Sequence, residues 1–99
     1  GKSLQFDIPV VVWACARFNF YHEKLSVSVA DRFKSGRDVK TLPDWGLCAL
    51  LWSYDVSDPQ GRFAEFKNAL ESERVRRRLS DADVSKSQSG YFEWNQARG

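Results

Sequence analysis

The sequence predicts an all-α chain: two stacked αα-hairpin repeats followed by a C-terminal capping helix. Three observations carry this expectation. Apolar residues recur at helical spacing after Asp7, and the breaks between such stretches are built from Pro, Gly, Asp and Ser. The apolar pattern also returns after about 38 residues, a period typical of helical solenoids.

The first helix is expected over residues 7–20, with Asp7 as cap and Pro9 in the first turn, where its missing N–H costs nothing. Val10-Val11-Val12 would suit a strand equally well. The continuing Trp13-Ala14-Cys15-Ala16 segment is too long for one and favours a central, buried helix. After a break at residues 19–23, a second helix is expected over 23–34, stacking Leu25, Val29 and Phe33 on one face. Ser35-Gly36 ends it, with Gly36 available for a left-handed cap, and residues 37–41 read as a polar, basic loop.

Thr41-Leu42-Pro43-Asp44 is a capping-box variant that starts a third helix over residues 43–54. Asp58-Pro59 starts a fourth over 59–79, with Phe63, Phe66, Leu70, Val75 and Leu79 facing inward. Ser80-Asp81-Ala82-Asp83 is another box-like start. The fifth helix, residues 81–97, contains Ser85, Ser87, Ser89 and Gly90, all poor helix formers, yet keeps Val84, Tyr91 and Trp94 on one face.

The repeat emerges when the tryptophan-bearing helices are overlaid. Trp13 and Trp52 are 39 residues apart, which places Val10-Val11-Val12-Trp13 on Ala49-Leu50-Leu51-Trp52 and Phe6 on Trp45. The following helices match at an offset of 37, Val29 on Phe66 and Phe33 on Leu70. Repeat 1 then spans about residues 6–36, repeat 2 about 42–79, and the cap about 80–97. One hairpin cannot bury its apolar face alone, whereas two stacked hairpins share a core that a fifth helix can close. On this alignment Trp13 and Trp52 are expected to be buried at equivalent places, with Trp45 also in the core.

Leu42-Pro43-Asp44-Trp45 followed by Leu50-Leu51-Trp52-Ser53-Tyr54 resembles the octatricopeptide repeat and its relatives in the RAP and FAST-kinase-like proteins. Val11-Val12-Trp13-Ala14-Cys15-Ala16 looks like a second copy, although the proline of Phe6-Asp7-Ile8-Pro9 is displaced from the family's position. The resemblance covers roughly residues 6–79. It implies paired helices and an organellar protein, in a chloroplast or mitochondrion, from a family that acts on organellar RNA.

Composition excludes several classes. The chain has 99 residues, enough for one domain, and 42% apolar residues including 14% aromatics, so a packed core is expected. Fifteen basic residues against 13 acidic ones leave too small an excess for a non-specific phosphate binder. No apolar run approaches the roughly 20 residues of a membrane span. Cys15 and Cys48 lie in apolar stretches as expected free thiols. With a single histidine, no structural zinc site is expected. No methionine occurs, so a chain starting at Gly1 is expected to be a processed product, a fragment or an edited chain.

No catalytic, cofactor-binding or metal-binding residue, no cofactor and no small-molecule substrate is expected. His22 beside Glu23 lacks any nucleophile motif or phosphate loop and reads as a helix-end histidine. The candidates for contact with a partner or RNA are Arg74, Arg77 and Arg78, placed at i, i+3 and i+4 of one helix, with Arg37 and Lys40 at the hairpin edge and Trp94 in the cap. Glu71 and Glu73 stand at spacings that can pair these arginines internally. Two repeats would read about two bases, too few for useful specificity. The expected role is therefore a non-catalytic scaffold module, an accessory subunit docking on protein subunits of a larger organellar complex. An organellar RNA-binding repeat protein, or a fragment of one, is the alternative.

Overall fold

The structure is a computed structural model and describes residues 4–98. Among these residues it is all-helical, with no strand: α1 (Leu4–Arg17), α2 (Glu23–Arg32), α3 (Gly36–Val39), α4 (Asp44–Ser57), α5 (Ala64–Arg76), α6 (Asp81–Lys86), a 3-10 turn (Ser87–Ser89) and α7 (Tyr91–Arg98).

The centre of the molecule is α4. Every residue from Trp45 to Leu51 is buried, as are Ser53 and Tyr54, so this helix is apolar all round because it has neighbours all round. It packs on α1, α5, α6, the 3-10 turn and α7. That corrects the expectation that the first helix is central. Helix α1 lies against α4 on one side only, burying Val12 and leaving Val11 half exposed.

Helices α1 and α4 form the most extensive pair. The Pro9 ring lies over Gly46 near the start of both, and Ala16 shares a cleft with Trp52 near their ends. The two helices therefore run side by side in the same direction. Gly46 is what lets them approach: a β-carbon there would meet Pro9 Cγ at 3.0 Å and Pro43 Cγ at 3.3 Å.

The boundaries show which local signals win. Helix α1 begins at Leu4, not Asp7, with Pro9 inside it. It ends in a Schellman turn: Phe20 N–H donates to Cys15 O (2.7 Å), Asn19 N–H donates to Ala16 O (3.1 Å), and Asn19 takes the left-handed φ of 56°. His22 then caps α2, its Nδ1 accepting from Leu25 N–H at 3.1 Å. Gly36 is not a left-handed cap. It opens α3, capped by the Ser35 hydroxyl that accepts from Asp38 N–H, so part of the expected loop is helical. Thr41 makes no capping box, since its hydroxyl donates to Asp38 O and Pro43 is the N-cap of α4.

The expected start of the fourth helix at Pro59 fails because Asp58 diverts the chain. Its buried carboxylate accepts from Arg62 N–H and Phe63 N–H, both at 2.9 Å, and Gly61 takes φ +76°. Helix α5 starts only at Ala64. Val75 is 61% exposed, not inward, because it lies five residues beyond the buried Leu70 and so on another side of the helix. A second Schellman turn stops the helix after Arg76: Leu79 N–H donates to Arg74 O, Arg78 N–H to Val75 O, and Arg78 takes φ +60°. The Ser80 capping box forms as expected, with Asp83 Oδ2 accepting from Ser80 N–H at 2.8 Å. The expected fifth helix breaks at Gly90, φ +99°, where the chain passes the Trp13 ring.

Three indoles fasten this C-terminal segment. Trp13 Nε1 donates to Gln88 O (3.0 Å), Trp45 Nε1 to Ser87 O (3.3 Å) and Trp94 Nε1 to Asp83 O (2.9 Å). Phe6, Trp13 and Tyr91 surround the Trp45 ring at centroid distances of 5.9–6.0 Å, so the start of α4 is closed by an aromatic nest.

Candidate interaction surface

The arginines expected to share one helix face do not. Arg78 lies beyond α5, where the left-handed conformation of the Schellman turn takes the backbone out of the α5 register. Arg74 and Arg77 are each only 13% exposed at the side chain. Arg74 pairs with Glu71, donates to Leu79 O at 2.7 Å and lies 3.4 Å from Asp81. Arg77 donates to Glu73 at 2.7 Å, to Asp44 at 2.9 Å and to Lys40 O at 3.2 Å. Both guanidiniums therefore bind the end of α5 to the elements around it.

Glu73 is the hub of that network. It is 5% exposed and also receives Arg76 Nη2 at 2.6 Å. The Arg76 guanidinium, acting against burial and joined by Arg77, holds the Glu73 carboxyl down to about 2. A buried carboxylate forked by two guanidiniums stays charged and immobile.

The network brings Arg77 onto the Lys40 carbonyl, and α3 packs on α5. The two basic segments seen separately in the sequence thus meet at one edge. Arg37, Lys40 and Arg78 are exposed there, and Arg76 is 61% exposed while bonded to Glu73. Trp94 is no surface aromatic. It is buried at 4% exposure, with the Arg98 guanidinium 4.8 Å above its ring and Arg98 paired to Asp83 at 3.0 Å.

A second feature was not legible in the sequence. Between the C-terminal turns of α1 and α4 lies an open cleft of about 420 Å³, lined by Ala16, Arg17, Phe20, Tyr21, Trp52 and Val56 with Asn19 and Ser57. Phe20 is 59% exposed, Tyr21 43% and Val56 52%, and the neighbouring Phe18 reaches 79%. Trp52 is half-buried on the cleft wall, which corrects its assignment to the core, and Trp13 is half-buried against Trp45. The Schellman turn at Asn19 places these aromatics. It reverses the chain so that Phe20 folds back towards Cys15 while Tyr21 reaches Arg62, whose guanidinium donates to the Tyr21 hydroxyl and to Glu23 Oε1 at 2.7 Å.

Other reactive groups are occupied or shielded. Burial, with Asp83 and Asp44 adding, pushes the Cys48 thiol up to about 12, far from a nucleophilic thiolate. Burial likewise raises the Tyr54 phenol, which donates to Ser26 O at 2.6 Å and ties α4 to α2. Burial would raise Asp58 too, but the Phe63 and Arg62 N–H donors prevail and hold it below its ordinary value. Among the described residues no group of His, Cys, Asp or Glu is arranged to hold a metal ion, and no helix is long and apolar enough to cross a membrane. Comparison with known proteins returned no match, whether to a family model, a curated protein or a solved structure.

Proposed function

We propose that this chain is a non-catalytic helical-repeat scaffold module, an accessory subunit that docks on protein partners within a larger assembly. The observation that carries the reading is the exposed aromatic pair Phe20 and Tyr21 beside Val56 and Trp52. A contiguous apolar patch on a small domain is where protein association removes most water-exposed hydrocarbon. The two-hairpin repeat is part of the proposal, supported by the parallel pairing of α1 with α4 and by the shorter amphipathic helix after each. An organellar location rests on the octatricopeptide resemblance alone.

RNA contact is the second reading, favoured by the exposed Arg37, Lys40 and Arg78 at one edge. It ranks lower because Arg74 and Arg77 spend their hydrogen bonds inside the molecule. Without Arg74 and Arg77 that edge offers Arg37, Lys40 and Arg78, and neutralising about three phosphates releases few counterions.

Two measurements separate the readings. In native extracts the full chain should migrate with a defined set of protein subunits, and Phe20→Ser with Val56→Ser should return it to the small fraction. The isolated chain titrated with single-stranded RNA should bind weakly at low salt and lose that binding as salt rises. Sequence-selective RNA binding that persists at physiological salt would overturn the scaffold reading.

A further inference from the structure

The cleft between α1 and α4 has a chemistry that defines its occupant more narrowly than a docking surface in general. We propose that it receives one large apolar side chain from an amphipathic helix of a partner protein, with an acidic residue of that helix seated on Arg17. This rests on the scaffold reading and names the partner for the same site.

Four features of the cleft lead to this occupant. Its walls combine the aromatic and aliphatic side chains of Phe20, Tyr21, Trp52, Val56 and Ala16 with the polar Arg17, Asn19 and Ser57. Its volume of about 420 Å³ would also suit a small molecule. Small-molecule sites, however, enclose most of the ligand, about 70–90% of its surface, whereas Phe20, Tyr21 and Val56 stand about half exposed around an open mouth. Such a rim is covered only by a partner large enough to lie across it.

The partner's shape follows from what the surface lacks and what borders it. Among the described residues there is no strand, hence no sheet edge on which an extended peptide could pair its backbone. The cleft opens where the groove between α1 and α4, two helices running the same way, meets the turn of residues 19–21, and such a groove is a surface into which a third helix packs its side-chain ridges. Charge completes the specification. Among the described lining residues Arg17 is the only charged one, and the nearby carboxylate of Asp55 is paired with Lys67 at 3.4 Å. An incoming Asp or Glu would meet one cation and no lining carboxylate, while a Lys or Arg would face like charge.

The test is selection of displayed helical peptides of about 15 residues on the intact chain. Enriched sequences should carry large apolar residues at i and i+3 or i+4 with Asp or Glu one turn away. Arg17→Glu should exchange that acidic preference for Lys or Arg, and Trp52→Ser should weaken the selected peptide at least about tenfold. Because Trp52 is half-buried, Val56→Asp on the rim provides a second arm that leaves the core untouched, and it should weaken binding similarly. Absence of a consensus, or one that ignores Arg17→Glu, would overturn the proposal. So would dimerisation of the chain that Val56→Asp abolishes, since a second copy would then fill the cleft, or co-sedimentation with phosphatidylserine vesicles that the same change abolishes. If native-complex retention depends on Phe20 and Val56 yet is indifferent to Arg17 and Trp52, the scaffold reading stands and the cleft assignment falls.

Discussion

The Pro9 ring rests on the α-carbon of Gly46, and this contact sets how closely α1 and α4 approach. An alanine at 46 would improve helix propensity by about 1 kcal/mol. Its methyl group would meet two proline rings, at 3.0 and 3.3 Å, neither of which can rotate away. Overpacking of this kind costs about 1–3 kcal/mol. Gly46→Ala should therefore destabilise by about 1 kcal/mol net, read as a lower urea midpoint at unchanged slope. A midpoint that rises would show that the two helices can separate freely.

Arg78 should respond in the opposite sense. It holds φ +60° at the position where glycine usually stands, and makes no ion pair among the described residues. A left-handed non-glycine residue carries about 1–2 kcal/mol of strain, part of which glycine returns as unfolded-state entropy. Arg78→Gly is expected to stabilise the fold by up to about 1 kcal/mol, measured by thermal or urea unfolding. A loss of stability would mean that the Arg78 side chain has a structural role beyond its backbone.

The two tryptophans of α4 should differ sharply. Trp45 is 2% exposed inside the aromatic nest and bonded to Ser87 O, so Trp45→Ala should cost about 3–5 kcal/mol. Trp52 lines an open cleft and should cost half that or less on mutation to Ala. Equal penalties in equilibrium unfolding would argue that the cleft is closed in solution.

Acid should loosen the Glu73 network only well below the ordinary carboxylate range. Its folded pKa lies below the ordinary 4.5, at about 2, so its contribution is complete above 4.5 and fades as pH falls towards 2. Glu73→Gln should lower the melting temperature strongly near neutral pH, and the gap to the unmodified chain should shrink across that window. A gap that is constant with pH would show that the charge of Glu73 does not hold the end of α5.

The sequence revealed the helical class, the breaks near residues 19–22 and 77–80 and the Ser80 box because these depend on residues close in the chain. It misjudged Gly36, Pro59 and Val75 where a neighbouring group decides the outcome, as when the Asp58 side chain takes two backbone donors. Nor did it anticipate left-handed turns at Asn19 and Arg78, neither of which is glycine. Burial of Trp45 over Trp52 depends on which helix is central, a property of the assembled fold. The aromatic cleft was hidden for the same reason: Phe20 and Val56 are far apart in sequence and meet only when α1 lies along α4.

The bond from Trp13 to the Gln88 carbonyl spans 75 positions, and with Trp45 to Ser87 it fastens the first and fourth helices to a turn near the chain's end. During synthesis the aromatic nest therefore has no lid until residues 83–94 have left the ribosome. Until then its indole donors lack their carbonyl partners, and a nascent chain stalled before that point presents the face most prone to aggregate or to recruit a chaperone.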